Sequence, residues 1–396
     1  MDRPWLTIIG LGEDGPDGLS PASRTAIERA EVVAGSARHL ALLPDLGPKA
    51  WVWPVPFADG VDQVLAMRGR RVVVLASGDP FWFGAGTVLT ARLQPGEWLA
   101  HPGVSVFALA AARLGWGIEG VACLGLHAAP LARIRPHLAG GARLLVTLRE
   151  GAAARELAET ITRLGFGAST LWVMEALGGG RERVRQTGAA GFDLDRVAEP
   201  VLVAVAATGR GMSCGSGLPD DLFAHDGQIT KRPVRALTLS ALAPCPGEVL
   251  WDIGAGSGSV SIEWLLAHPS MRAIAVEADP VRADRARANA AALGVDRLLL
   301  VQGAAPAALA GLPLPDAVFI GGGVSEAMLT ALWALLPPGV RLVANGVTLE
   351  AEALFAKWQA EVGGTLLRID LSDAGALGHK RGWRAALPVV QWSVVR

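Results

Sequence analysis

The segment from Glu248 to Leu266, ending in LWDIGAGSGSVSIEWLL, constrains the fold more than any other. An apolar run through Ile253 stops at Gly254, Gly256 and Gly258 and resumes as an amphipathic helix. That order makes a strand, a tight turn and a helix, the unit of open α/β sheets whose ligands bind beyond the carboxyl ends of the strands. Elsewhere, apolar strand-like runs alternate with Ala/Leu/Arg-rich stretches, the pattern of parallel sheets covered on both faces. The alternation breaks once. After PVLVAVA (Pro200 to Ala206) comes TGRGMSCGSGLPDDLF, too rich in Gly and Ser for a core element, which reads as a linker. The boundary is placed near Ser213, giving α/β domains at residues 1–212 and 213–396. A chain of 396 residues with 51% apolar content favours two cores over one.

Composition narrows the function classes. No apolar run approaches the roughly 18 residues of a membrane span, and the start MDRPWLTIIGLG lacks a secretory signal, so the expected compartment is the cytoplasm, with no membrane partner. Cys123, Cys214 and Cys245 are too scattered for a zinc site or a disulfide framework, and no metal is expected. A net charge of −1 with dispersed charges argues against nucleic acid as a partner. The expected assembly is a homo-oligomer.

In the carboxy-terminal half, the strand AIAVEADP ends in Glu277, placed to accept hydrogen bonds from a ribose diol, as an acid about 20 residues beyond a glycine turn does in nucleotide folds. The turn reads Gly254-Ala255-Gly256-Ser257-Gly258, with Ser259 where a dinucleotide fingerprint has its third glycine, so S-adenosylmethionine fits better than NAD. This arrangement resembles the class I, Rossmann-like methyltransferases, which implies that the glycine loop holds the methionine portion, Glu277 the ribose, and Gly303 and Ala304 the adenine. The run Gly321 to Gly323 reads equally as a strand cap or as an opening for a bulky planar ligand.

Just before this domain, HDGQITKRPVRALTLSAL crowds His225, Asp226, Thr230, Lys231, Arg232 and Arg235 into a loop entering a helix. The stretch resembles the decarboxylating precorrin methyltransferases of cobalamin biosynthesis nearly residue by residue. That resemblance implies Thr230 in the cofactor site, with Lys231, Arg232, His225 and Arg235 facing a tetrapyrrole whose carboxylates need charge-assisted partners. It also makes His379, in the closing ALGHKRGW segment, a candidate substrate contact.

The amino-terminal half opens with WLTIIGLGEDGPDGLSPASRTAIERA. Gly10, Gly12 and Gly15 match a dinucleotide fingerprint formally, but Ser20 and Pro21 start the helix too late for one. VVVLASGDPFWFGAG and HPGVSVFALAAARLG follow, and these elements in this order resemble the tetrapyrrole methylase family, class III methyltransferases with two small α/β lobes. The resemblance implies cofactor contacts from Gly12, Gly78, Asp79 and Ser105. In GLHAAPLARI, His127 is kept while Ala128-Ala129 stand where relatives have Gly-Arg.

The two resemblances in tandem imply two S-adenosylmethionine sites per chain, methylation of C5 and C15 of a precorrin, and loss of carbon dioxide from the C12 acetate. No residue is assigned as acid or base. The competing readings are an RNA methyltransferase, disfavoured by the charge, and a non-catalytic tetrapyrrole carrier, disfavoured by two retained glycine loops.

Overall fold

The computed structural model describes residues 4–396. It divides into two units, one formed by the described residues up to Leu131 with His137–Arg210, the other by Ala132–Pro136 with Gly211–Arg396.

The first unit contains two five-stranded sheets. Strands β1 (Leu6–Leu11), β2 (Val32–Gly35), β3 (Ala50–Val52), β4 (Val72–Ser77) and β5 (Trp98–His101) pair in parallel in the order β3-β2-β4-β1-β5. Alternate residues feed two cores: Leu6, Ile8, Val72 and Val74 on one face, Ile9, Leu11, Val73 and Leu75 on the other. That explains why these strands read as unbroken apolar runs. As the sequence requires, the first helix starts at Pro21, capped by Ser20 Oγ accepting from Ser23 N. The second sheet comprises β6 (Val121–Gly125), β7 (Arg143–Leu148), β8 (Thr170–Glu175), β9 (Arg183–Gly188) and β10 (Val201–Ala206), in the order β6-β7-β10-β8-β9, with only β6 and β7 parallel.

The second unit is a seven-stranded sheet built from β11 (Val249–Ile253), β12 (Arg272–Glu277), β13 (Leu299–Gln302), β14 (Ala317–Ile320), β15 (Arg341–Gly346), β16 (Thr365–Ile369) and, after the separate hairpin β17 (Ser372–Leu377) and β18 (Lys380–Ala385), β19 (Val389–Val395). Its order is β13-β12-β11-β14-β15-β19-β16, parallel except where β19 runs against β15 and β16. The chain reverses direction across the sheet between β11 and β14, which defines the crevice where such sheets bind ligands.

The segment read as a linker differs from that expectation. Leu218 and Phe223 are buried against Leu239, Leu242 and Trp264, and the amides of Gly217 and Leu218 donate to Glu263 at 2.6 and 2.8 Å. Glycines predict an irregular backbone there, but a single buried carboxylate and two apolar anchors suffice to fix it. Among the described residues, no helix is long and apolar enough to cross a membrane.

Candidate functional site

In the second unit, the carboxyl ends of β11, β12, β13 and β14 converge. Gly254 N donates to Val276 O at 2.9 Å, Gly321 N to Ile253 O at 2.9 Å and Gly303 N to Glu277 O at 2.9 Å. Gly254 sits at φ +70°, and a Cβ there would lie 3.0 Å from Gly322 O and 3.1 Å from Gly322 N. The two glycine runs therefore close backbone against backbone, and glycine is required for the approach rather than for the turn alone. The run Gly321–Gly323 thus does more than cap a strand. A Cβ on Gly322 or Gly323 would meet nothing within 4 Å, which leaves an open rim.

Glu277 is buried, its Oε2 accepting from Gly256 N at 2.8 Å and its Oε1 from Asp279 N at 3.0 Å. Two amides fix the carboxylate, and each oxygen keeps a lone pair for a further donor. Ser257 Oγ is buried with no hydrogen-bond partner among the described residues. A bare backbone rim, an oriented carboxylate and an orphaned hydroxyl fit an adenosyl cofactor carrying a ribose diol and an amino acid moiety. Gly303 and Ala304 follow β13 beside Glu277, and Ala304 is exposed. The loop 225–231 passes over the turn, with Gln228 O 3.9 Å from the position of a Cβ on Gly256, and Thr230 is half-buried within it.

The basic cluster divides. Lys231 and Arg232, at the start of the helix Arg232–Leu242, are exposed and enter no ion pair among the described residues. His225 Nδ1 accepts from Gly227 N at 3.0 Å. Arg235 corrects the sequence reading. It is fully buried, donates to Glu263 Oε1 at 2.6 Å, Asp220 Oδ1 at 3.0 Å, Thr230 O at 2.5 Å and Leu218 O, and stacks 4.8 Å from the Phe223 ring centroid. Four of its five N–H groups are engaged within the protein and the side chain is fully buried, so it does not face a substrate. His379 lies in the exposed turn between β17 and β18.

Sequence reasoning missed Asp252. Its Oδ2 accepts from Ser261 N and Oγ at 3.1 and 2.6 Å, while Oδ1 is buried without a partner. Burial pushes its carboxyl up to about 6 against those two hydrogen bonds, with a further push from the Glu277 charge. The strand position, apolar on both sides, gave no sign that this Asp faces inward.

In the first unit, the carboxyl ends of β1, β4 and β5 are knotted in the same way. Gly78 N donates to Leu11 O at 3.0 Å and Gly103 N to Gly78 O at 3.0 Å. A Cβ on Gly10 would collide with Gly78 O, and Gly78 itself lies at φ +55°. Beyond this knot opens a cleft of about 840 Å³ lined by Gly12 and Gly78, by Trp82, Phe83 and Val104, and across it by Thr147, Met174 and Leu202. Apolar walls on one side and a bare backbone rim on the other suit a cofactor beside a large planar ligand. Asp79 and Ser105 do not line it: Asp79 Oδ1 accepts from Phe81 N at 2.8 Å, and Ser105 caps the helix Val106–Leu114 by accepting from Ala108 N at 3.1 Å.

A polar cluster on the cleft wall joins residues far apart in sequence. Arg38 pairs with Glu13 and donates to Ser77 Oγ at 2.7 Å and to His39 Nε2 at 2.8 Å; His39 Nε2 lies 2.9 Å from Ser77 Oγ. An arginine can only donate, so His39 Nε2 accepts and the ring is neutral. Burial, then the Arg38 charge, pulls its pKa down to about 3. His127, also on the wall, has its pKa lowered by burial.

The Precorrin methyltransferase domain family matches residues 221–396, and the Tetrapyrrole (Corrin/Porphyrin) Methylases family residues 5–192. A curated relative from Sinorhizobium sp, named precorrin-6Y C(5,15)-methyltransferase (decarboxylating), is 50% identical over 98% of this chain and 96% of its own length. One of the same name from Mycobacterium tuberculosis is 40% identical over 99% of this chain and all of its own. A cobalt-precorrin-7 C(5)-methyltransferase from Salmonella typhimurium is 28% identical over 45% of this chain and 88% of its own. At 50% and 40% identity over nearly its full length, the chain belongs to the family of decarboxylating precorrin-6Y C(5,15)-methyltransferases.

Proposed function

We propose that the chain methylates C5 and C15 of a precorrin and decarboxylates its C12 acetate in cobalamin biosynthesis, using S-adenosylmethionine at two sites, one in each half. The observation carrying this reading is that each unit ends in its own glycine-closed crevice at the carboxyl edge of a parallel sheet. Residues 1–212 are assigned to C5 and residues 213–396 to C15 with decarboxylation. Two features support that division. The exposed Lys231 and Arg232 follow the loop whose Gln228 O approaches the second glycine turn, which suits them to control carboxylates there. The Salmonella relative, named for C(5) alone, aligns with less than half of this chain.

Glu277 is assigned to the ribose diol, Gly254–Gly258 and Thr230 to the cofactor's amino acid portion, and Gly303 with Ala304 to the adenine. His225 and His379 remain substrate-side candidates, and the enzyme is assigned to the cytoplasm as a homo-oligomer. When bound, S-adenosylmethionine supplies a methyl already activated by its sulfonium. The protein then has to hold a ring carbon in line with that methyl and exclude water, which demands no strong base. Lys231 and Arg232 anchor carboxylates of the macrocycle. The acetate that is lost keeps no such partner, so its electrons can move into the conjugated ring as carbon dioxide departs.

The test is incubation of the full chain with precorrin-6B and S-adenosylmethionine, followed by mass spectrometry. The expected product has gained two methyl groups and lost one carbon dioxide. Cofactor binding without any change in substrate mass would contradict the proposal and favour a carrier.

A further inference from the structure

The helix Pro280–Ala292 starts at Asp279, two residues past Glu277, and carries Arg282, Arg285 and Asn289 at spacings that put them on one face. All three reach the loop that bears the basic residues. Arg282 Nε donates to Asp226 Oδ2 at 2.9 Å, Arg285 Nη1 pairs with the same oxygen at 3.0 Å, and Asp226 Oδ1 accepts from Gln228 N at 3.1 Å. Asn289 is buried: its Oδ1 accepts from Ala224 N at 2.8 Å, and its Nδ2 donates to Ala224 O and Ser257 O, both at 2.9 Å. The start of the loop is thereby fastened to the glycine turn itself, and its middle to the helix that follows the ribose acid.

We propose that Asp226 is a positioning residue for the reaction of the second unit, holding Lys231 at a fixed distance from the cofactor turn through its clamp to Arg282 and Arg285. The inference rests on the reading that Lys231 meets substrate carboxylates. An exposed ion pair contributes little to stability, yet here two arginines converge on one carboxylate in the loop that spans both ligands. The geometry fits registration of the loop better than support of the fold. With the clamp closed, Lys231 meets a carboxylate that must stay bound while the C12 acetate is left to react.

The experiment is a double-mutant cycle on the full chain, reading carbon dioxide release from precorrin-6B at saturating S-adenosylmethionine. Asp226→Asn and Lys231→Ala should each raise KM roughly tenfold, and the double variant should raise it no further, because the first acts through the second. Asp226→Glu should recover most of the loss, while S-adenosylhomocysteine affinity and melting temperature stay at wild-type values in Asp226→Asn. If the double variant shows the product of the single effects, Asp226 does not act through Lys231 and the proposal is overturned alone. If Lys231→Ala leaves KM unchanged, the substrate reading of the basic loop falls and the proposal with it. A lowered melting temperature in Asp226→Asn, uncorrected by Asp226→Glu, would make Asp226 a structural residue and also overturn the proposal.

Discussion

Replacing Arg235 by Met tests whether the basic segment 231–235 serves the substrate or the fold. The side chain is fully buried and its removal strands Glu263, itself 6% exposed, against an apolar core. Glu263 would keep the amides of Gly217 and Leu218 but lose the only counter-charge it has among the described residues, at 2.6 Å. Thr230 O and Leu218 O would lose the guanidinium as a donor. Breaking a buried pair from one side costs about 3 to 5 kcal/mol. For a unit of this size that corresponds to a fall of roughly 10 °C in its melting transition. The assay is urea and thermal unfolding of the full chain followed by tryptophan fluorescence, where the buried Trp251, Trp264 and Trp392 report on the second unit. Adding Glu263→Gln to Arg235→Met should restore part of the loss by removing the stranded charge. If Arg235→Met melted like wild type yet bound the tetrapyrrole tenfold more weakly, the burial account would be refuted and Arg235 would be a substrate ligand.

Three further outcomes follow from the same structure. Gly254→Ala, at φ +70° and facing Gly322 at 3.0 Å, should cost about 1 to 2 kcal/mol and weaken S-adenosylhomocysteine binding in the second unit; calorimetry showing unchanged affinity would remove the backbone closure from the account. Burial raises the Asp252 carboxyl from 3.8 to about 6, so its contribution is full below 3.8 and is lost as pH rises through about 6, by about 3 kcal/mol. Asp252→Asn should lack that slope in urea unfolding run from pH 4 to 7. His39 goes the other way: with its pKa lowered from 6.5 to about 3, its contribution is full above 6.5 and is lost as pH falls towards 3. The first unit of His39→Gln should therefore lose less stability on acidification than wild type, as read by pH-dependent unfolding.

What could be read from sequence was whatever depends on neighbours along the chain. The turn Gly254–Gly258, the acid Glu277 and the cap Ser20-Pro21 each announce a local geometry, and the structure realises it. The charge density around Arg235 points to a ligand, whereas its helical phase points to the core. Arg235, Thr238, Leu239 and Leu242 repeat at core spacing and all are buried, so the periodicity held the answer. Asp79 and Ser105, which the family resemblance makes cofactor contacts, each form a short-range hydrogen bond of the kind turn and cap residues make routinely. The cluster of Glu13, Arg38, His39 and Ser77 and the clamp from Asn289 could not be read at all. Their members meet only after strands and helices distant in sequence pack together.

The central claim is that one chain carries two independent methyl-donor sites. It is tested most directly by calorimetric titration of the full-length protein with S-adenosylhomocysteine, alongside the Gly256→Arg variant. Gly256 lies at φ +58° in the carboxy-terminal turn assigned to the cofactor, where a long side chain would fill the proposed ligand space. The expected result is about two sites in the wild type and one in the variant, with the remaining affinity unchanged. A single site in well-folded wild-type protein, or two sites persisting in Gly256→Arg, would contradict it.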